Sequence, residues 1–335
     1  MPTKTVAGRT WHFSHSIGHH VGAEGFSHPA PVIFDPDGVL YVADVAAAEG
    51  YGLAYGTPRI HKFTIDHDYI AEIGVGEVVW PEGLALDRAG NLYCSSAWDS
   101  QITVYTPEGE RIARWGEAGS APGQLSRPSG LAFDADDNLL VVDGGNHRVQ
   151  KFSADGRFLS AWGEPGHDEG QLWKPWGITI DPQGDVYVAD WGNDRVQQFS
   201  SDGAFRRRFG SLIDDGGQLH RPSDVAIDSD GDVYVVDWGN HRVQVYYPDG
   251  DIITGLYGDA RGFSKSGQAV MDVNPDYVRA FERVDPEEMI ALSRFDRPRG
   301  IAIDGQDRIV VSDCTRGRLQ VYVKDKDYIV PQFNL

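Results

Sequence analysis

A short motif recurs six times along the chain, and each copy places a different side chain directly after its proline. Glu82 could act as a general base if nearby tryptophans shield it from water, and Arg299 could bind a carboxylate or stabilise an oxyanion. We take these two as candidate catalytic residues, and Trp176, Ser129 and Ser223 as candidate substrate contacts. The six residues at this position are Ala30, Glu82, Ser129, Trp176, Ser223 and Arg299.

Other polar and aromatic residues stand close to the motif. Asp224 occupies a position that is glycine in four of the six copies, and a residue that breaks a local rule often marks function. We take it as a catalytic candidate, with a turn aspartate as the alternative. His220 and His28 come shortly before motif prolines; His220 is a candidate base, His28 a candidate substrate contact, and loop capping is the alternative for both. The remaining candidates for substrate contacts are Trp191, Trp238, Tyr51 and Tyr55.

The motif opens a longer unit that predicts four short strands. A frame such as PSGLAFD gives the first strand, and a turn such as DSDGD and a second strand such as VYVAD follow. Next come the letters [ND]-x-R-V, a third strand such as VQQF, a DG turn and a last strand such as FLSAWG. Short strands separated by turns are typical of all-β folds. Six such units, each covering the faces of its neighbours, predict a six-bladed β-propeller that forms a single domain over residues 1–335. We place the blades near 26–74, 79–116, 125–163, 172–210, 219–258 and 295–335.

Three segments lie outside this repeat. Residues 9–18 resemble the last strand of a blade, so we expect them to complete blade six, with the tail DYIVPQF as an alternative. Two insertions, 46–57 and 259–294, lie in connections on one face of the propeller, the top face, where the inner strands begin. The second insertion has helix starts at Asn274 and Asp285 and predicts a small helical segment between blades five and six. Together the insertions suggest a lid over the central mouth, with decoration or an oligomer contact as alternatives.

Aspartates end the second strand of five blades, and such a ring of acids could bind a metal ion. An arginine, however, follows five residues after four of them, and in blade two both are replaced together, by Ser96 and Gln101. This joint replacement favours structural ion pairs. The turn at 228–232 resembles a calcium loop but lacks the downstream glutamate, so we interpret it as a hairpin turn. The expected pairs are Asp143–Arg148, Asp190–Arg195, Asp237–Arg242 and Asp313–Arg318, with Asp44–Arg59 across the first insertion.

Composition narrows the classes of partner. The 335 residues carry a net charge of −20, which disfavours nucleic acid and membrane surfaces as partners. Two cysteines cannot form a disulfide framework. The first residues lack an apolar signal core and no segment reaches 18 apolar residues, so we expect a soluble, cytoplasmic protein. The oligomeric state stays open at this point.

The repeat letters resemble those of the NHL-repeat family, with a proline–glycine entry, V-x-D, N-x-R-[VI]-Q and a DG turn. The resemblance covers nearly the whole chain and implies a six-bladed propeller. The chain also resembles the peptidyl-hydroxyglycine amidating lyases, but no histidine follows a motif proline here, so the zinc site of those enzymes does not carry over. It is similar to gluconolactonase-like propellers, which bind a divalent cation. Glu82 matches one of their ligands, and this implies calcium as a candidate cofactor.

Two classes of function follow from these features. The varied side chains at the mouth and the insertions on one face predict a hydrolase or lyase that acts on a small polar or carboxylate-bearing molecule in the central pocket of the top face. The alternative is a non-catalytic binding or scaffold protein for peptides or proteins. RNA binding, known among NHL relatives, is disfavoured by the charge. A deep pocket with Glu82 and Arg299 pointing inward would favour the enzyme, and a flat top with exposed aromatic residues would favour the scaffold.

Overall fold

The protein is a six-bladed β-propeller with a short helical segment between blades five and six, which confirms the predicted fold. It is described by a computed structural model that covers residues 3–6, 8–18, 26–45, 57–210, 216–274 and 283–325, together with 276 and 279. Each blade is an antiparallel sheet whose first strand lies innermost, around the central axis.

Blades one to three are formed from consecutive strands. Blade one contains β3 (Pro29–Phe34), β4 (Val39–Asp44), β5 (Arg59–Thr64) and β6 (Tyr69–Ile73). Blade two contains β7 (Pro81–Leu86), β8 (Leu92–Ser96), β9 (Gln101–Tyr105) and β10 (Arg111–Trp115). Blade three contains β11 (Pro128–Phe133), β12 (Asn138–Asp143), β13 (Arg148–Ser153) and β14 (Phe158–Trp162).

Blades four and five follow the same order, and blade six adds strands from the beginning of the chain. Blade four contains β15 (Ile178–Ile180), β16 (Val186–Asp190), β17 (Arg195–Phe199) and β18 (Phe205–Phe209). Blade five contains β19 (Pro222–Ile227), β20 (Val233–Asp237), β21 (Arg242–Tyr246) and β22 (Ile252–Leu256). Blade six contains β23 (Pro298–Ile303), β24 (Arg308–Asp313), β25 (Arg318–Asp325), β2 (Arg9–Ile17) and β1 (Thr3–Val6).

The ring closes where β2 pairs with β25, from Thr10 opposite Asp325 to Ile17 opposite Leu319. Trp11 is 1% exposed and packs in the apolar cluster between blades five and six. The tail that could rival β2 for this place lies outside the described residues.

A buried lysine also stabilises the contact between blades five and six where the ring closes. The ammonium of Lys324, on β25, lies 2.6 Å from Asp228 Oδ2, 2.6 Å from Asp230 Oδ2 and 2.9 Å from Asp232 Oδ2, all in the turn between β19 and β20. Arg9 on β2 pairs with Asp232 as well. The turn is the hairpin that the sequence predicts, and these three carboxylates converge closely enough to hold a metal ion. Here the charge that balances them comes from the chain itself.

Apolar side chains fill the space between neighbouring blades in six clusters among the described residues. Leu140 and Val142 of blade three, for example, pack against Ile178 and Val188 of blade four. Because strands alternate their side chains between two faces, each blade contributes to two clusters. The repeat therefore builds its core between copies rather than within one.

The expected buried ion pairs form in four blades. Arg195 Nε donates to Asp190 Oδ2 at 2.8 Å, and the N–H of Trp173 donates to Asp190 Oδ1 at 2.7 Å. The aspartate thereby fixes the loop that leads into its own inner strand. Equivalent pairs, at 2.7 to 2.8 Å, are Asp143–Arg148, Asp237–Arg242 and Asp313–Arg318.

Blade one departs from this pattern. Arg59 pairs with Glu72 at 3.1 Å, and Asp44 instead faces His61 Nε2 at 3.8 Å. The expected Asp44–Arg59 pair is therefore wrong, because His61 occupies the place beside Asp44. In blade two, Ser96 and Gln101 stand opposite each other without charge.

Two helices lie in the described part of the second insertion, α1 (Lys265–Val273) and α2 (Pro286–Ser293). Asp285 caps α2 and accepts a hydrogen bond from the N–H of Glu287, as its sequence predicts. Asn274 ends α1, and its side chain also accepts a hydrogen bond from the N–H of Asp276 at 3.2 Å. The described residues 276 and 279 are helical, which agrees with the helix start predicted at Asn274. Neither helix, nor any other in the described ranges, has the length and apolar character needed to cross a membrane.

Candidate functional site

Three long side chains from alternate blades meet at the top end of the central axis. Trp176 Nε1 donates to Glu82 Oε2 at 3.1 Å, and Arg299 Nη2 donates to the same oxygen. The Arg299 guanidinium also lies over the Trp176 ring, 4.9 Å from its centroid. The repeat positions these residues because each one directly follows a motif proline. In blades two and six that proline begins the inner strand, and in blade four Trp176 lies two residues before β15. The sequence thus brings three of its candidates into one contact.

This contact is largely removed from solvent. The Glu82 and Arg299 side chains are 5% and 16% exposed. Burial alone would lower the pKa of Arg299, but the charge of Glu82 and the neighbouring Cys314 raise it. A charge-assisted hydrogen bond in such surroundings is strong, since water competes for it poorly. Arg299 is therefore held as a cation with a fixed direction.

Small residues occupy the same motif position in the other three blades. The Ser129 hydroxyl donates to the carbonyl of Trp176 at 2.8 Å, and the Ser223 hydroxyl donates to the carbonyl of Arg299 at 2.8 Å. Each serine thus ties its own blade to the main chain of a site residue in the next blade. Ala30 has no group that could do so. The structure therefore gives these serines a role in positioning Trp176 and Arg299.

Asp224 lies one residue below Ser223 and faces the central cavity. Its Oδ2 accepts a hydrogen bond from the N–H of Ile301 at 3.0 Å, and its Oδ1 accepts one from the N–H of Val225 at 2.9 Å. Burial raises the pKa of this carboxyl to about 7, although the two backbone hydrogen bonds lower it. No cation among the described residues lies within 4.0 Å to balance its charge.

Gly177 makes room for this carboxylate. A Cβ atom at residue 177 would lie 2.4 Å from Asp224 Oδ1 and 2.6 Å from Asp224 Cα, closer than carbon atoms ever approach such groups. The aspartate at 224 in blade five therefore fits only because residue 177 in blade four is glycine.

The cavity has a volume of about 850 Å³ and runs along the inner strands of all six blades. Glu82, Trp176 and Arg299 line its top end, and aliphatic side chains such as Leu131 line its middle. Its other end is reached by the turns at 35–38 and 304–306. A volume of this size suits a small organic molecule. The sequence places a pocket at the top face, and the structure extends it from there through the ring.

The remaining candidates stand apart from the cavity. Trp191 packs edge-on against Trp176, with ring centroids 6.0 Å apart, and Trp238 lies beneath Arg297 on the top face. The His220 side chain is 52% exposed and lies 3.6 Å from Asp194. His28 is hydrogen-bonded to the Ser27 hydroxyl at 3.2 Å. Tyr51 and Tyr55 lie outside the described residues.

Cys314 is a further neighbour of the site. It follows the buried aspartate of β24 and lies against Arg299. Burial raises the pKa of its thiol to about 11, so it is a neutral thiol rather than a nucleophile at physiological pH. Cys314 directly follows the aspartate that ends the second strand, as Trp191 and Trp238 do in their blades. This shared position in the repeat is the sequence signal that could have identified it.

A divalent cation at Glu82 would compete with groups of the protein. Glu82 Oε2 already accepts hydrogen bonds from Arg299 and Trp176, so a cation at this carboxylate would have to displace Arg299 or bind beside its positive charge. Among the described residues, the group of three acidic side chains that converges for a metal is the turn balanced by Lys324.

Comparison with known proteins identifies the repeats and the fold. The NHL repeat family matches residues 125–152, 172–199, 219–246 and 295–322, which lie in blades three to six. Four of the six blades therefore contain a segment that matches this repeat, and they are the four that keep the buried aspartate–arginine pair. No curated protein sequence matches the chain.

Several solved structures share the propeller. A streptogramin B lyase has 10% identity and a TM-score of 0.57, over 94% of this chain and 98% of that one. A gluconolactonase from Xanthomonas campestris has 14% identity and a TM-score of 0.58, over 95% and 90%. A protein of unknown function from Bacteroides thetaiotaomicron has 14% identity and a TM-score of 0.65, over 95% and 76%. At these identities the likeness establishes the fold.

Proposed function

We propose that this six-bladed propeller, four of whose blades contain a segment that matches the NHL repeat, is a hydrolase or lyase that acts on a small polar molecule in its central cavity. The observation that carries the proposal is Asp224, a cavity-facing carboxyl with a pKa of about 7. It lies one residue along its inner strand from the motif position that Glu82 and Arg299 occupy in their own blades. A carboxyl with this pKa is present in both forms at neutral pH and can take up a proton and return it.

The proton can be followed through a hydrolysis. The Asp224 carboxylate takes a proton from a water molecule whose oxygen attacks the carbonyl carbon of the substrate. Arg299 donates hydrogen bonds to the carbonyl oxygen as that oxygen gains negative charge. The bond to the leaving oxygen then breaks, and protonated Asp224 returns the proton to it. In an elimination, the same carboxylate takes the proton from carbon and returns it to the leaving group.

Glu82 and Trp176 have positioning roles in this scheme. Glu82 accepts a hydrogen bond from the Arg299 guanidinium, and Trp176 donates to Glu82 and lies against the same guanidinium. These contacts fix the direction from which the guanidinium approaches the substrate. The serines that hold the main chain of Arg299 and Trp176 add to this rigidity. A site held by neighbouring contacts loses less free energy in ordering itself during the reaction.

Two further observations support an enzyme over a scaffold. The cavity is deep, and Glu82 and Arg299 lie at its end rather than on an open surface. The fold is also that of structures named gluconolactonase and streptogramin B lyase. The alternative, a binding protein for peptides or proteins, draws support from Trp80 and Trp98 on blade two, which are 41% and 75% exposed.

The experiment compares Asp224→Asn with Asp136→Asn, an exposed aspartate in the turn between β11 and β12. Hydrolysis or elimination of a panel of small lactones and esters, including δ-gluconolactone, is followed by proton release and by product formation. We expect Asp224→Asn to lower kcat at least about 100-fold and Asp136→Asn to leave it unchanged. The wild-type rate should change with an apparent pKa near 7.

Equal activity of the two variants would refute the catalytic role of Asp224. Absence of turnover across the panel, together with binding of a peptide or protein that Trp98→Ala abolishes, would establish the alternative.

A further inference from the structure

The residues directly before the motif prolines form a second ring on the top face, outside the site. In blades three to six this residue is a cation, and all four side chains are exposed. They have the same left-handed backbone, with φ between 50° and 54°, so they leave the chain at equivalent points of successive blades. The four are Arg127, Lys174, Arg221 and Arg297.

These cations are not used in ion pairs. Among the described ranges, no carboxylate oxygen lies within 4.0 Å of any of the four charged groups. Arg221 lies over the Trp191 ring at 4.8 Å and Arg297 over the Trp238 ring at 5.2 Å. The aromatic rings support the guanidinium planes without neutralising them. An arc of four unbalanced positive charges is a local exception on a chain with a net charge of −20.

Two acidic side chains that lie beside the arc, Asp194 and Asp296, have other contacts. Asp194 accepts a hydrogen bond from the N–H of Arg221 at 2.7 Å and lies 3.6 Å from His220. Asp296 lies 3.4 Å from His241. The four cations of the arc outnumber these two carboxylates. Two of the cations lie two residues before site residues, Lys174 before Trp176 and Arg297 before Arg299.

We propose that the arc recruits a small organic anion with two or more carboxylate or phosphate groups, and that this anion is the substrate class of the cavity, a step that rests on the proposed function. The Glu82–Arg299 pair lines the top end of the cavity, and only another anion can replace Glu82 without leaving the buried guanidinium unbalanced. The lower end of the cavity is lined by Asp35, Asp37 and Asp87, which disfavour entry of an anion there.

The test measures binding of citrate, with inorganic phosphate as a second probe, by calorimetry at low ionic strength. Arg221→Gln and Arg297→Gln should each weaken citrate binding about twofold to fivefold, and the double variant about tenfold. Arg157→Gln, an exposed cation in the turn between β13 and β14 on the opposite face, should leave it unchanged. Glu82→Gln should tighten binding, because its carboxylate no longer competes for Arg299.

The outcomes separate this inference from the proposed function. Citrate binding that persists in Asp224→Asn while turnover is lost supports both. Citrate binding that is absent, or equal in the Arg221, Arg297 and Arg157 variants, overturns the inference while leaving the turnover experiment unaffected. Much tighter binding of a long polyanion such as heparin than of citrate would assign the arc to a macromolecule and also overturn it.

Discussion

Replacing Asp224 with asparagine should make the folding stability of this protein less dependent on pH. The carboxyl has a usual pKa of 3.8, which applies in the unfolded chain, and a pKa of about 7 in the folded protein. Below pH 3.8 it is protonated in both states and contributes no difference. Between the two values only the unfolded chain releases the proton, so stability falls as the pH rises.

The magnitude follows from these two values. Between pH 3.8 and about 7, each pH unit lowers the free energy of unfolding by about 1.4 kcal/mol, so the full loss above pH 7 reaches about 4 kcal/mol. This is an upper bound, because the side chain faces a cavity that water can enter. An asparagine does not titrate, but it can accept only one of the two backbone hydrogen bonds of Asp224. That mismatch costs about 1–3 kcal/mol at every pH.

Urea denaturation of the two proteins from pH 4.5 to pH 8.5 measures the difference. The variant should be the less stable protein at low pH. Its free energy of unfolding relative to that of the wild type should rise steadily until about pH 7 and then stay constant. Asp136→Asn provides the control and should show no such gain. A difference between wild type and Asp224→Asn that is flat over this range would refute the raised pKa and remove the physical basis of the proposed catalysis.

Two substitutions test the packing that surrounds the site and the closure. Lys324→Met removes the cation that contacts the buried carboxylates of Asp228 and Asp232 and should destabilise the protein by about 3–5 kcal/mol, measured by the urea midpoint. Lys265→Met, in an exposed pair, should change the stability by less than about 1 kcal/mol. Gly177→Ala should cost about 1–3 kcal/mol and weaken the pH effect of Asp224, because its methyl group displaces that carboxylate. Gly262→Ala, where a Cβ meets nothing within 4 Å, is the matched control, and equal effects in both glycine variants would contradict the steric argument.

The repeat made the blades and the meeting of Glu82, Trp176 and Arg299 predictable. A fixed position in a repeated strand has a fixed place relative to the central axis. Trp176 and Arg299 were therefore predicted to lie near Glu82, although they are 94 and 217 positions away from it in the sequence. The buried Asp–Arg pairs were predictable for the same reason. Their register is set within one hairpin and repeats with it.

Contacts between different repeats were harder to foresee. The surroundings of Asp224 depend on Gly177 in one neighbour and on the N–H of Ile301 in the other, and no local pattern links these three residues. The hydroxyls of the two motif serines donate to backbone carbonyls, and every residue has a backbone carbonyl, so the sequence does not indicate which one accepts. Helix α1 was missed because its start, at Ser264, has none of the proline and glutamate signals that mark α2.

Because β2 pairs with β25, blade six can be completed only after the chain up to β25 has been synthesised. β2 is synthesised before blades one to five, yet Trp11, Phe13 and Ile17 are buried only when β25 has arrived beside it. Blades one to five can pair their strands in the meantime, whereas β2 has to wait with its apolar side chains uncovered. A nascent chain of this protein thus offers chaperones a binding site until β25 has been synthesised.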